Sequence, residues 1–146
     1  MKTVREHINP FPGNVRKIAV VAPAGKPDRA RLEASLKLIG SWGIKTLLGE
    51  HVFSASEEEY FSAPKEKRIA DFNAAVNDRS VDMILCARGG YGSAQLLPEI
   101  DWETLRKRRL PVLGYSDITA IHMGMLKLSA GIPVTCQMAA SFTDSL

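Results

Sequence analysis

Between the short apolar run Pro111–Leu113 and a stretch of helical periodicity from Ile118 sits Gly114-Tyr115-Ser116-Asp117. A serine at a tight strand-to-helix turn can be held with Oγ exposed, while the next N–H points to where an oxyanion would form. The partial positive charge of the helix N-terminus adds to that stabilisation. The chemistry suggested is acyl transfer with Ser116 as nucleophile. The match to Gly-x-Ser-x-Gly is incomplete, because Ile118 stands at the second glycine position. Ser116 or Asp117 can also be an ordinary helix cap, and on the local pattern alone the cap is the plainer reading.

A second segment, Arg88-Gly89-Gly90-Tyr91-Gly92-Ser93, follows another apolar run. Its glycines permit positive φ and let a backbone approach a ligand closely. It could cradle an anion or supply an N–H to an oxyanion. It lacks the Gly-Lys-Ser/Thr of a nucleoside-triphosphate loop, it is not Gly-x-Gly-x-x-Gly, and a plain turn is as good a reading. Arg106-Lys107-Arg108-Arg109 is the one dense basic run and reads as a solvated helix end, its cations complementing the helix dipole. His7, His51 and His122 lie far apart, none at metal-ligand spacing from another His or a Cys. No metal and no cofactor is expected.

The elements that must position these loops alternate. Lys17–Ala22, with Ile18 to Val21 continuously apolar, predicts a strand buried on both faces in a parallel sheet. After Pro23-Ala24-Gly25, Asp28 caps a helix over 29–41 with Leu32, Leu36 and Ile39 inward, ended by Gly43. Ile44–Leu48 is the second strand. The polar stretch 50–64, acidic at Glu57-Glu58-Glu59, is a surface loop or short helix. Pro64 suits the first turn of a helix over 65–77 with Ile69, Phe72 and Val76 inward. Strand three is Val81–Cys86. A short helix near Ser93–Leu97 and the segment Asp101–Arg109 lead to strand four, Pro111–Leu113. A helix over 118–128 turns Ile118, Ile121, Met125 and Leu128 inward and is stopped by Gly131. Ile132–Thr135 is a fifth strand, placed at an edge or start by Pro133. This alternation predicts an α/β fold, an open, doubly wound, mostly parallel sheet with helices on both faces. Such sheets bind ligands at the carboxyl ends of their strands, which singles out the loops at 23–26, 88–93 and 115–117.

At 146 residues, 45% apolar and 24% charged, the chain suits one domain with a real core. A net charge of +3, with basic residues spread along the chain, does not suggest a nucleic-acid partner. Cys86 and Cys136 lie in apolar runs and read as free buried thiols, in keeping with a reducing compartment. No apolar run approaches the ~18–20 residues that span a bilayer, and the first 16 residues lack a signal-peptide core. A cytoplasmic protein with no membrane partner is expected. Residues 1–16 read as an irregular lead-in, 17–140 as the nucleophile-bearing domain and 141–146 as the start of a linker.

Taken in order, several segments carry a resemblance. They are Ile69-Ala-Asp-Phe-Asn-Ala-Ala, Asp82-Met-Ile-Leu-Cys-Ala-Arg-Gly-Gly-Tyr-Gly, Leu96-Leu-Pro, Asp101-Trp and Leu113-Gly-Tyr-Ser-Asp-Ile-Thr-Ala. With the Ala-Pro-Ala-Gly turn at 22–25, they resemble the amino-terminal domain of LD-carboxypeptidases over most of 17–138. The resemblance implies a Rossmann-like, class I glutamine amidotransferase-like sheet and hydrolysis of an amide bond between an L-centre and a D-residue. The family's typical role is removing the terminal D-alanine from cytoplasmic muropeptide tetrapeptides in cell-wall recycling. A related branch hydrolyses a peptide–nucleotide antibiotic.

Carried over by position, Ser116 is the nucleophile, and the N–H groups of Asp117 and Gly90 form the oxyanion hole. The substrate lies along Arg88, Gly89, Tyr91 and Tyr115, and our own inference is that Arg88 orients its carboxylate. The chain departs from the family at Ala24, often a serine, and at Cys136-Gln137-Met138, commonly His-Gly-Pro; both bear on substrate preference.

A serine nucleophile needs a base and an orienting third group. In the family these are a histidine and a glutamate from a carboxy-terminal domain, and the chain stops at Leu146 before it. His122, six residues after Ser116, lies roughly 9 Å further along a helix at ~1.5 Å rise per residue, too far for a hydrogen bond. His51 falls at the end of strand two, away from strand four, and His7 precedes the sheet. The chain alone is therefore expected to be inactive or nearly so, and a homodimer is possible. The competing expectation is a stand-alone α/β module binding an anion or nucleotide at 88–93.

Overall fold

A computed structural model describes residues 9–56 and 59–145. His7, the first eight residues of the lead-in, Glu57, Glu58 and Leu146 lie outside the described residues. Five strands, β1 (Lys17–Val21), β2 (Lys45–Leu48), β3 (Met83–Cys86), β4 (Pro111–Gly114) and β5 (Ile132–Thr135), form one sheet in the order β2-β1-β3-β4-β5, every pair parallel. The helices are α1 (Arg29–Ser41), α2 (Lys65–Asn77), α3 (Trp102–Arg108) and α4 (Thr119–Leu128). Short 3-10 segments span Ser93–Glu99, Ser116–Ile118 and Ala139–Ser145.

The alternation of side chains along each strand sorts the core into two layers. Ile18, Val20, Met83, Leu85 and Leu113 face α1 and the C-terminal 3-10 segment, while Ala19, Val21, Ile84, Cys86 and Val112 face α2, α3 and α4. This is the doubly wound arrangement: right-handed crossovers to the left of β1 and to its right must use opposite faces. The order reverses between β1 and β3, so a crevice opens at their carboxyl ends.

Most inward positions fall where the periodicity puts them. Leu32, Ile39, Ile69, Phe72, Val76, Ile118, Ile121 and Met125 are buried, and Leu36 packs at the edge of the core. Leu128 is a correction: it is 37% exposed, because it ends α4 where the helix has run past the layer beneath. The stop of α4 is also earlier than Gly131. Ser129 takes the left-handed conformation (φ 51°) and its N–H bonds back to Leu126 and Met125. Pro64 is the residue capping α2 rather than one inside its first turn. Residues 141–145, read as the start of a linker, are folded into the 3-10 segment, and Phe142 meets Phe11 edge to face.

The basic run does more than face solvent. Arg108 donates to the carbonyls of Val76 and Val81, and Arg106 to that of Leu128. Cys86 is buried, but Cys136 is only half-buried; burial raises both thiols, that of Cys136 to about 11. Among the described residues no helix is long and apolar enough to cross a membrane.

Candidate active site

β4 enters the turn through Gly114, where a Cβ would meet the Ile118 side chain at 3.0 Å. Glycine is therefore favoured by the isoleucine at the position of the motif's second glycine, since a side chain at 114 would press it aside. Tyr115 is extended (φ −150°, ψ −171°), and Ser116 then takes φ 56°, in the left-handed region. A side-chain-bearing residue there costs about 1–2 kcal/mol, and such strain persists only where the surroundings impose it. They do: the Ile118 N–H closes the turn on the Tyr115 carbonyl, and the 3-10 turn runs directly into α4. Ser116 is left exposed at the apex.

This geometry separates the two readings of Ser116-Asp117. A capping residue needs β-region dihedrals and a side chain turned onto the first helical turn. Ser116 has the wrong dihedrals, neither the 3-10 turn nor α4 has a side-chain cap, and the Asp117 carboxylate turns away to accept the Ser93 N–H at 2.9 Å.

The Ser93 hydroxyl also donates to the Asp117 carbonyl (2.6 Å), joining the glycine loop to the serine turn by two bonds. Gly89 lies directly against the serine: a Cβ there would be 3.8 Å from Ser116 Oγ and 3.3 Å from Met138 Cε. Gly90 (φ 103°) and Gly92 (φ 115°) adopt conformations that favour glycine. A cavity of about 250 Å³ opens here, lined by Arg88, Gly89, Gly90, Tyr115, Ser116 and Met138 among others. Arg88 is exposed and donates to the Lys26 carbonyl at 2.7 Å. Arg88 also borders a neighbouring cavity of about 500 Å³ beside Asp28 and Arg31. Tyr91 and Tyr115 are 56% and 45% exposed; Tyr115 lines the cavity and Tyr91 does not.

The outer side of the glycine loop is packed by residues that the sequence pattern did not single out. Tyr60 Oη accepts the Tyr91 N–H at 3.0 Å, and the two rings stack at 4.2 Å. Phe61 sits where a Cβ on Gly92 would have to be. Arg68, only 3% exposed, lies over the Phe61 ring and donates to the carbonyls of Pro23, Ala63 and Gly92 and to Gln95 Oε1. Burial lowers its guanidinium from the ordinary value. One signal for Arg68 was available, since it lies four residues before Phe72 on the inward stripe of α2; Tyr60, in the irregular loop before α2, offers none.

The described histidines are engaged elsewhere. His122 is buried, and its Nε2 lies 2.9 Å from the Val112 carbonyl, so the ring donates there; burial lowers its pKa. His51 holds Asp71 through Nδ1 (2.8 Å) and its backbone N–H (2.9 Å), just beyond the end of β2, with β1 and β3 lying between that strand and β4. Neither lines the cavity at Ser116. Among the described residues no cluster of three or more His, Cys, Asp or Glu could hold a metal. Of the positions that depart from the resemblance, Met138 lines the cavity, whereas Ala24 and Cys136 do not.

Residues 18–136 match the family described as LD-carboxypeptidase N-terminal domain. The chain is 39% identical over 108 residues to a Streptomyces coelicolor protein designated a carboxypeptidase, covering 73% of this chain and 35% of that protein. It is 34% identical over 106 residues to the murein tetrapeptide carboxypeptidase of Pseudomonas aeruginosa, covering 72% and 34%. The muramoyltetrapeptide carboxypeptidase from Oxalobacter formigenes superposes with a TM-score of 0.73 at 25% identity, over 84% of this chain and 40% of that one. The chain thus spans about a third of the length of the curated relatives it matches.

Proposed function

Since the chain belongs to the LD-carboxypeptidase family of serine peptidases, we propose that it carries the nucleophile and oxyanion hole of an enzyme cleaving an L,D-amide bond. The substrate class we favour is the muropeptide tetrapeptide, losing its terminal D-alanine in the cytoplasm. The observation that carries this reading is Ser116 itself: exposed, strained at φ 56°, and set against Gly89. Strain at an exposed serine on a strand-to-helix turn is what a nucleophile needs and a cap does not.

In this reading Ser116 Oγ attacks the scissile carbonyl, and the oxyanion is met by the N–H groups of Asp117 and Gly90. The amine of the D-residue leaves with a proton, and water then hydrolyses the acyl-enzyme. Arg88 orients the terminal carboxylate, with Gly89 and Tyr115 along the cavity and Tyr91 beyond it. The base and its partner are a histidine and a glutamate from the carboxy-terminal part of the family's fold. That part falls outside the third of the relatives' length spanned here. The anion-cradle alternative is weakened, because the N–H groups of Tyr91 and Ser93 are already engaged by Tyr60 and Asp117.

The test is D-alanine release from an L,D-tetrapeptide. The whole protein should turn over, and Ser116→Ala should lower kcat by about 10⁴-fold or more. The 146-residue chain alone should show no turnover. Robust activity of that chain would overturn the assignment of the base.

A further inference from the structure

The Gly89–Gly90 peptide is gripped by a residue that does not line the cavity. The Gly25 N–H donates to the Gly89 carbonyl at 3.1 Å. Gly25 itself is fixed by a bridge to Phe61, and the Lys26 N–H donates to the Tyr60 carbonyl. In a trans peptide C=O and N–H point in opposite directions, and no cis bond occurs among the described residues. Holding the Gly89 carbonyl on Gly25, which does not line the cavity, therefore turns the Gly90 N–H away from Gly25.

The following peptide is held as well. Tyr60 Oη accepts the Tyr91 N–H, and the Tyr60 hydroxyl occupies the space a Cβ on Gly90 would need. Gly90, at φ 103°, is thus fixed through the peptides on both sides, and a glycine held at one end only would be free to rotate.

We propose that Tyr60 is a positioning residue of the oxyanion hole. Its hydroxyl and ring, together with the Gly25 N–H, hold the Gly89-Gly90-Tyr91 turn so that the Gly90 N–H stays aimed at the oxyanion. This rests on the reading of Ser116 as nucleophile and Gly90 as donor. Tyr60 does not line the cavity at Ser116, so its effect is on the aim of the donor and not on substrate contact. Losing one oxyanion donor outright lowers kcat by about 10²–10³-fold, so a donor that is present but loosely aimed should lower it by about tenfold.

The experiment is steady-state L,D-peptide hydrolysis by the whole enzyme in wild-type, Tyr60→Phe, Gly25→Ala and Ser116→Ala forms, with melting temperatures alongside. Phenylalanine keeps the stack on Tyr91 and removes only the acceptor. Tyr60→Phe should lower kcat by about tenfold with KM within about twofold. It should weaken an amino-boronate transition-state analogue in proportion to kcat. Gly25→Ala, whose Cβ would press on the Gly89 carbonyl at 3.0 Å, should give the same signature from the other end of the peptide. A wild-type kcat in both variants, or a rise in KM alone, would overturn the proposal. Full turnover by Ser116→Ala would instead overturn the nucleophile reading and take the proposal with it.

Discussion

The serine turn and the glycine loop sit side by side, yet they are made in opposite ways. The turn from β4 into α4 is closed by its own neighbours: Gly114 under Ile118, the Ile118 N–H on Tyr115, and His122 on Val112, ten residues away. The glycine loop is permissive by composition, and its shape comes from far along the chain. Tyr60 is 31 residues from Tyr91, Arg68 is 24 from Gly92, and Gly25 lies on another strand's loop. The serine turn stores strain locally, while the glycine loop is held by the packing of the fold. Damage to the core beneath α2 should therefore reach the glycine loop first, and the serine turn only through the two Ser93–Asp117 bonds.

The largest stability effect expected from this contrast is at Arg68. Arg68→Met keeps much of the volume but takes their Arg68 donor from the buried carbonyls of Pro23 and Ala63, leaves that of Gly92 to the Gln95 N–H, and removes the cation over Phe61. The cost should be about 3 kcal/mol in urea unfolding, since each buried acceptor left unpaired costs about 1–3 kcal/mol and relaxation recovers part of it. Arg68→Lys should rescue little, because one ammonium cannot span those acceptors as the guanidinium fork does. A loss below about 1 kcal/mol would mean that the glycine loop holds its own shape, and the contrast would collapse.

The same contrast explains what could be read from the sequence. Strand and helix positions were legible because continuous apolar runs and i, i+4 stripes report burial directly; α1, α2 and β5 fall where the pattern puts them. The serine turn was legible as a motif because its determinants lie within a few residues. Its conformation was not, since a cap and an elbow share the same residue types and differ in one φ angle. Tyr60 was invisible because its contact with Tyr91 depends on where an irregular loop folds back over the sheet. Leu128 was misplaced because periodicity cannot say where a helix outruns its support.

A smaller effect probes the strain in the turn. Glycine at 116 relieves the left-handed backbone by about 1–2 kcal/mol but gives back about 0.5–1 kcal/mol of unfolded-state entropy. Ser116→Gly should thus be about 0.5 kcal/mol more stable than wild type, while Ser116→Ala, with its Cβ retained, should gain nothing. Glycine ordinarily destabilises relative to alanine, so the inverted order is diagnostic. If the alanine variant proved the more stable of the two, the turn would not be strained in solution.

The smallest effect separates the regions by pH. The serine turn is tied by a histidine, whereas the glycine loop is anchored by an arginine that stays charged. Burial is the main influence on His122 and lowers its pKa, opposed by the weaker effect of the Val112 carbonyl. The unfolded chain therefore binds more protons in the interval between the folded pKa and the ordinary value of 6.5. Stability from this group is complete above that value and is lost as pH falls toward the folded pKa. His122→Gln, whose amide can still donate to Val112, removes this titration. The stability of wild type minus that of His122→Gln should accordingly shrink as urea titrations move from about pH 7.5 to 5.5, while the cost of Arg68→Met should not change over the same range. A wild-type advantage independent of pH would show that the histidine titrates alike in both states, with its 2.9 Å bond to Val112 fully offsetting burial.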